Sequence, residues 1–346
     1  MATIKDVARV AETSIATVSA VLNGTAKVSD KLSKRIWAAI ESTGYSPDGV
    51  ARSLRRGRTR SIGVIVGDIS NPFFTSLIKA VEARATNSGH SVIIANSDDD
   101  PDKEMSLLKI LREQRVAGIL LAPSGHDAAY LEALARMTDV PVVLVDRHLP
   151  DSKFDAMLVD NFAAGRIATD YLIRLNHQRI AIIGGNPHFW TAHERLRGYR
   201  ESLVASGLDV EPELEVLTVS QVETAYGAVQ KLLTLPKPPS AIFATSNMMM
   251  LGAIEAIMDM GFRCPDDISL VGIDDFPWGS AIRPKLTTVA QPIAELGARA
   301  AEMLIDRIAG KPGEGATTPP SVVMLEPRLV IRDSCARLEG PGRAIP

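Results

Sequence analysis

The sequence predicts an α/β protein: a small helical headpiece in front of two doubly wound lobes built on parallel sheets. Three observations carry that expectation. From Ser61 onward, short apolar runs alternate with amphipathic stretches: "SIGVIV", "SVIIAN", "GILLAP" and "PVVLVD", then "RIAIIGG", "LEVLTV", "SAIFAT" and "ISLVGID". Repeated βα units of this kind fold as parallel sheets with helices on both faces. The runs are too many for one small sheet, and a break near "DAMLVDNFAAG" divides them into two lobes. The stretch ahead of them differs in charge. Residues 1–60 hold 11 Lys/Arg against 5 Asp/Glu, net +6, and the remainder holds 27 against 36, net −9. A basic head on an acidic body points to an anionic partner for the head alone.

The head reads as three short helices. Thr3-Ile4-Lys5-Asp6 has the form of a capping box, and Ile4, Val7, Ala8 and Ala11 follow at helical spacing. Ser14 is a second N-cap. Val18, Val21 and Leu22 give the next helix an inward face, and Asn23-Gly24 ends it. Ser29 and Asp30 start a third helix carrying Leu32, Ile36, Trp37 and Ile40 to Gly44. Two short helices, a tight turn and a supporting third helix form a helix-turn-helix pattern.

In the body, helical stretches such as "FFTSLIKAVEARATNSG" and "SNMMMLGAIEAIMDMG" separate most of the apolar runs. Doubly wound sheets bind ligands at the carboxyl ends of their strands, and between two lobes that location is a cleft. The predicted boundaries are a headpiece over residues 1–46, a linker over 47–60, and a ligand-binding body over 61–333. Lobe 1 is placed at about 61–160 and 290–318, lobe 2 at about 161–289 and 319–333, and 334–346 is read as a frayed Gly/Pro-rich tail.

Bulk composition excludes several classes. The 346 residues are 46% hydrophobic and 23% charged, an ordinary globular balance. Cys264 and Cys335 stand in no metal-ligand spacing, which fits a reduced compartment. The charged opening "MATIKDVARVAE" holds no signal-peptide core, and runs such as "AGILLAP" are too short to span a bilayer, so a cytoplasmic protein is expected. His177, His188 and His193 lack a third ligand at a recognisable spacing and are read as surface or cleft residues, with no metal. "IIGGNP" is neither a dinucleotide fingerprint nor a P-loop, and no Ser sits in GxSxG. Neither an enzyme nor a cofactor is expected.

"IKDVARVAETSIATVSAVLNG" followed by "VSDKLSKRIWAAIESTGYSPDGVARSLRRGRT" closely resembles the DNA-binding headpiece of the lactose-repressor (LacI/GalR) family. "SIGVIVGDISNPFF", "GILLAPS", "VDNFAAG", "ERLRGY", "LVGIDD" and the "P-LTTV-QP" pattern resemble that family's effector domain, similar in fold to periplasmic sugar-binding proteins. The resemblance covers about residues 2–333 with its motifs in order. It implies a homodimer on a palindromic operator, controlled by a small molecule between the lobes.

In a helix-turn-helix the second helix enters the major groove, where base edges present a distinct pattern. With Val18 and Leu22 inward, Ile15, Ala16, Ser19 and Ala20 face the bases; Ser14 and Asn23 flank them, and Thr17 matches a family position on phosphate. Two departures stand out. Glu12 sits where the family often has Gly in the turn, and Ala20 stands where it usually has Arg. Ala20 cannot pair with guanine, and Ile15 and Ala16 offer apolar contact suited to thymine methyls. The basic linker, residues 46–59, is too short to form a stable helix alone. By resemblance it is the hinge helix that folds on the operator. Ala51 and Leu54 share one face, Leu54 takes the place of the family's minor-groove wedge, and Arg55 contacts DNA beside it.

For the effector, motif positions place Ser70, Asn71, Phe73 and Phe74 at the first strand-to-helix loop. Ser124, Asp146 and Asp160 fall at or near later strand ends. Phe189, Thr191, Arg195, Ser246, Asp274 and Trp278 come from the second lobe, with Trp278 a stacking platform. Aromatic faces with a few convergent polar groups suit a sugar. The family's frequent Asn-Asp pair reads Ser246-Asn247 here, one carboxylate fewer, while Arg195 could pair with an acidic ligand. The expected function is a repressor of a carbohydrate-utilisation operon responding to a sugar or sugar acid. The alternative is a regulator answering to a purine or nucleoside, and more remote are a cytoplasmic sugar-binding protein or an enzyme.

Overall fold

The structure, a computed structural model, describes residues 2–23, 28–45, 59–137, 139–310 and 319–339. It divides into two compact units, Met1–Thr59 and Arg60–Pro346.

The first unit holds α1 (Ile4–Val10), α2 (Ile15–Asn23) and α3 (Asp30–Thr43). Its ends are set by side chains. The Thr3 amide donates to Asp6 Oδ2 at 2.9 Å, Ser14 Oγ accepts from the Thr17 amide at 3.0 Å, and Ser29 Oγ accepts from the Leu32 amide at 3.4 Å. Gly44 closes α3 in the left-handed region, φ 62°. Val7, Ala8, Ala11, Val18, Ile36 and Ala39 form its buried centre. Glu12, in the turn between α1 and α2, has φ 45°, and its carbonyl accepts from Arg35 Nη2 at 3.2 Å. A bond from α3 thus holds a turn whose residue lacks the freedom of glycine.

The second unit contains two six-stranded sheets. The first comprises β1 (Ser61–Val66), β2 (Ser91–Asn96), β3 (Gly118–Leu121), β4 (Val142–Val145), β5 (Asp155–Val159) and β11 (Val322–Leu325), in the order β11-β5-β4-β3-β1-β2. The second comprises β6 (Ile180–Gly184), β7 (Glu215–Leu217), β8 (Ala241–Ala244), β9 (Ser269–Ile273), β10 (Thr287–Ala290) and β12 (Arg328–Val330), in the order β12-β10-β9-β8-β6-β7. The pairings are parallel except that of β12 with β10, with Ser61 opposite Ser91 and Ile180 opposite Ala241.

Each sheet is apolar on both faces, as parallel sheets require. In β1, Ile62, Val64 and Val66 face one layer, helices α4 (Pro72–Asn87) and α12 (Ile293–Ala309), while Ile65 faces the other, α5 (Pro101–Glu113) and α6 (Ala128–Met137). In β6, Ala181 and Ile183 face α9 (Val222–Leu233) and α10 (Asn247–Asp259), and Ile182 faces α7 (Asn161–Arg174) and α8 (Trp190–Ala205). The short α11 (Pro277–Ala281) follows β9. No helix among the described residues is long and apolar enough to cross a membrane.

The chain passes between the lobes at Asp160, between β10 and α12, and between β11 and β12. The first and third passages touch, since the Asp160 amide donates to the Leu325 carbonyl at 2.9 Å. The third corrects the expected boundary. Residues 319–333, expected whole in lobe 2, are divided: Val322–Leu325 completes the sheet of lobe 1, and Ala290, expected in lobe 1, ends a strand of lobe 2. The eight quoted apolar runs do not include β5, β10, β11 or β12; β5 lies inside the stretch read as the break between the lobes, and β10 inside the "P-LTTV-QP" pattern.

The tail departs from expectation as well. Ser334 is fully buried; its hydroxyl accepts from the Thr287 amide at 2.8 Å and donates to the Leu270 carbonyl at 2.6 Å. The Leu338 amide donates to the Leu175 carbonyl at 2.8 Å. Residues 334–339 are pinned to lobe 2, not frayed; the remainder of the predicted tail lies outside the described residues. His177, expected at the surface or cleft, is 2% exposed and part of this anchor, with Nδ1 2.9 Å from Ser240 Oγ and Nε2 3.1 Å from the Ala336 carbonyl.

Candidate functional site

The headpiece offers α2. Val18 is buried and Leu22 packs against the core, so the helix turns its other side outward: Ile15 is 42% exposed, Ala16 is exposed, and Ser19 and Ala20 are half-buried. Thr17 Oγ1 lies 2.8 Å from Ser14 Oγ, both at the helix N-terminus. Such a terminus suits a phosphate, since its amides point outward along a favourable dipole. Asn23 ends α2, but its side chain lies outside the described residues, as do Ala51, Leu54 and Arg55 of the expected hinge.

The effector unit offers a cavity of about 580 Å³ between the two lobes. Both sheets reverse their winding direction at equivalent strands, β1 and β6, and the loops after these strands lie on the cavity. After β1 come Ser70, Asn71, Phe73 and Phe74, and after β6 come Gly185, Asn186, Phe189, Thr191 and Arg195. Asp99 follows β2, Asp146 and Arg147 follow β4, Ser220 and Gln221 follow β7, Thr245 and Ser246 follow β8, Asp274 follows β9, and Gln291 follows β10.

Three of these carboxylates share a backbone feature. Asp99, Asp146 and Asp274 have φ of 57°, 69° and 79°, each just past a strand end. Aspartate tolerates this region better than most residues, and strain of this kind gathers at functional sites. Arg195 is placed by helix packing. A Cβ on Gly165 of α7 would lie 2.2 Å from the Arg195 carbonyl, and one on Gly198 of α8 would lie 2.3 Å from the Phe162 carbonyl. Two glycines therefore let α7 and α8 approach and fix the arginine between them.

The polar groups form a connected web. Arg195 donates from Nε to Asn161 Oδ1 and from Nη1 to the Thr245 carbonyl, both at 2.7 Å. Asp274 accepts from Gln291 Nε2 at 2.6 Å and from Asn247 Nδ2 at 3.1 Å, and Asn247 Nδ2 also reaches Asn71 Oδ1 at 2.8 Å. An aspartate at 247 would set a second carboxylate against Asp274, where the amide instead donates to it. Arg147 Nη1 donates to Asp99 at 2.7 Å and to the Pro123 carbonyl at 3.2 Å, with Nε 3.8 Å from Asp146. Burial pushes Asp146 up to about 6, with Arg147 and Arg195 pulling the other way. Burial likewise raises Asp274, opposed by Arg195 and by its hydrogen bonds from Gln291 and Asn247. Two buried side-chain atoms of cavity residues, Arg147 Nε and Gln291 Oε1, have no hydrogen-bond partner.

Along one flank the lobes meet through three consecutive residues where the β6–α8 connection enters α8. The ring of His188 stacks on His126 at 4.6 Å, Phe189 lies under the Arg147 guanidinium at 4.0 Å, and Trp190 meets His148 edge-on at 5.9 Å. His193 pairs with Glu194. Among the described residues no group of three or more His, Cys, Asp or Glu could hold a metal ion.

Of the predicted effector residues, Ser70, Asn71, Phe73, Phe74, Asp146, Phe189, Thr191, Arg195, Ser246 and Asp274 line the cavity. Ser124, Asp160 and Trp278 do not. Ser124 lies in a buried network behind it, 3.0 Å from Ser97 Oγ and donating its amide to Glu104 at 2.8 Å. Asp160 caps α7 by accepting from the Ala163 amide at 2.8 Å. Trp278 packs against core clusters of both lobes and is no platform in the cavity. Arg147, Asp99, Thr245, Gln221 and Gln291 were missed. The strand-end rule that found Asp146 points equally to its neighbour Arg147, and Gln291 stands within the quoted "P-LTTV-QP" pattern.

Comparison with known proteins agrees with this geometry. Residues 3–48 match the lacI family of bacterial regulatory proteins, and residues 169–335 match a periplasmic binding protein-like domain. The HTH-type transcriptional repressor PurR of Pasteurella multocida (strain Pm70) is 38% identical over 335 residues, 96% of this chain and 98% of that protein. The transcriptional regulator CelR–cellobiose complex is 30% identical with a TM-score of 0.72, covering 96% of this chain and 100% of that one. The Lac repressor dimer bound to operator and the anti-inducer ONPF is 26% identical with a TM-score of 0.86, covering 97% and 99%. With its headpiece, its two parallel lobes and a near full-length relative, the chain belongs to the lacI family of bacterial regulatory proteins and is a DNA-binding transcriptional regulator.

Proposed function

We propose that the protein represses transcription by binding a palindromic operator as a homodimer, and that a polyhydroxylated small molecule, a sugar or sugar acid, sets its operator affinity from the cleft. The observation that carries the ligand class is the charged ring, with Asp146, Asp274, Arg147 and Arg195 all buried beside Phe74 and Phe189. A sugar pairs hydroxyls with such groups and an apolar face with aromatic rings. The cellobiose held by CelR supports the class. The name PurR borne by relatives favours a second reading, a purine between the aromatic rings.

The dimer rests on the Lac repressor likeness and on two edge strands left open at equivalent places, β2 and β7. Ile94 on β2 is exposed, as are Ile110 on α5 and Leu251 and Met258 on α10. Operator reading is assigned to Ile15, Ala16, Ser19 and Ala20, with the hinge residues Ala51, Leu54 and Arg55 joining on DNA. Calorimetry with aldoses, glycosides, sugar acids and purines, followed by operator gel shifts with each binder, tests the proposal. Binding of purines alone would overturn the sugar assignment, and failure of every binder to change operator affinity would overturn the control.

A further inference from the structure

From the balance of donors and acceptors in the cleft we infer that its ligand is an uncharged polyol, and that the site discriminates against carboxylated or phosphorylated sugars. The inference rests on the polyol reading above and narrows it.

The cavity lining carries five carboxylates, Asp68, Asp98, Asp99, Asp146 and Asp274, against two guanidiniums, Arg147 and Arg195. The cations are already engaged. Arg147 is bonded to Asp99 at 2.7 Å, with Asp146 at 3.8 Å on its other side. Arg195 spends Nε on Asn161 and Nη1 on the Thr245 carbonyl. A ligand carboxylate entering here would compete with Asp99 for Arg147, would meet an Arg195 already donating to Asn161 and Thr245, and would add a negative charge to a buried site already holding an excess of them. Burial makes such an addition costly, because low-dielectric surroundings strengthen like-charge repulsion and remove hydration.

The hydrogen-bond inventory agrees. The carboxylate oxygens of Asp146 and Asp274 only accept while ionised, and Gln291 Oε1, a buried atom with no partner, accepts as well. Arg147 Nε is a buried donor with no partner. A hydroxyl group both donates and accepts, so adjacent hydroxyls of one ring can serve this mixed set. An ionised carboxylate or phosphate ester offers acceptors and would leave Gln291 Oε1 and Asp146 facing oxygen atoms.

The test uses matched pairs on the full-length protein at pH 7.5: D-galactose with D-galacturonate, D-ribose with ribose 5-phosphate, and cellobiose with cellobionate, with hypoxanthine as a separate arm. The neutral member of any pair that binds should be tighter by at least about tenfold. In Asp99→Asn, whose amide tolerates the positive φ of that position, Arg147 loses its carboxylate and the charged member should gain on the neutral one by a similar factor. A charged member binding as tightly as its neutral counterpart overturns the inference and leaves the polyol reading standing. Binding of hypoxanthine alone, or silence of all three pairs at millimolar concentration, overturns the polyol reading itself and this inference with it.

Discussion

In the headpiece, Ile15, Ala16, Ser19 and Ala20 are presented by one helix of nine residues, small, uncharged and at least partly open to solvent. In the effector unit, Asp146, Arg147, Arg195 and Asp274 are charged, buried, and delivered from separate strand ends and a helix. On the function proposed above, the first surface meets a rigid external partner whose own charge supplies much of the affinity, so its side chains need only fit. The second encloses its ligand, so it must carry the compensating charge within itself. Damage should therefore be mild and confined to recognition in the first, and severe and shared with stability in the second.

The largest effect is expected from Asp274→Ala. It strips the carboxylate from Gln291, Asn247 and the neighbourhood of Arg195 at once. Removing one member of a buried charged network costs about 3–5 kcal/mol. Urea unfolding should show that loss; a change under about 1 kcal/mol would put the cleft on the footing of surface ion pairs and break the contrast.

Next comes pH. Because Asp146 is held up to about 6, the folded state retains its proton where the unfolded chain has lost it. Its stabilising contribution is complete below the ordinary aspartate value and lost as pH rises through about 6, a swing of about 3 kcal/mol. Asp146→Asn should remove this slope and raise melting temperature at neutral pH in the absence of ligand, while weakening any ligand that donates hydroxyls to the carboxylate. Parallel melting curves for the two proteins between pH 4 and 8 would detach Asp146 from the cleft's charge balance.

Headpiece changes should be smaller. Ser14→Ala removes the cap on the Thr17 amide, and caps of this kind are worth about 1 kcal/mol. Heteronuclear NMR of the headpiece should show fraying of α2 with the remaining core intact. Smallest is Ile15→Ala, which trims an exposed side chain and should weaken operator binding by about 1 kcal/mol without shifting the melting temperature. Equal affinity on every operator variant would remove Ile15 from the reading surface.

The same contrast governs what could be read from the sequence. The helix periodicity of Val18 and Leu22 was enough to predict which side of α2 faces outward. The parallel sheets were legible because "SIGVIV" and "ISLVGID" are continuous apolar runs. The cleft was legible where a strand end or a recognisable motif marked it, as at Asn71, Asp146, Arg195 and Asp274. Arg147 and Asp99 meet across 48 positions of sequence, and nothing local marks that pairing. Ser124 was placed in the cavity because it ends a strand, but its hydroxyl and amide turn inward to Ser97 and Glu104, a choice made by tertiary contacts alone. Strands β11 and β12 defeated the lobe boundary because Val322–Leu325 and Arg328–Val330 are two short stretches side by side that join different sheets.

Those two strands also constrain how the protein can be made. As the chain leaves the ribosome, the headpiece can form from contacts within the first 45 residues. Both lobes must wait, because β5 and β10 stay open edges until residues 322–330 emerge. Open edges of apolar parallel sheets are templates for wrong pairing. A chain interrupted before residue 322 would leave both lobes unfinished while the helices of the headpiece remained whole, a DNA-binding unit without the body that completes it.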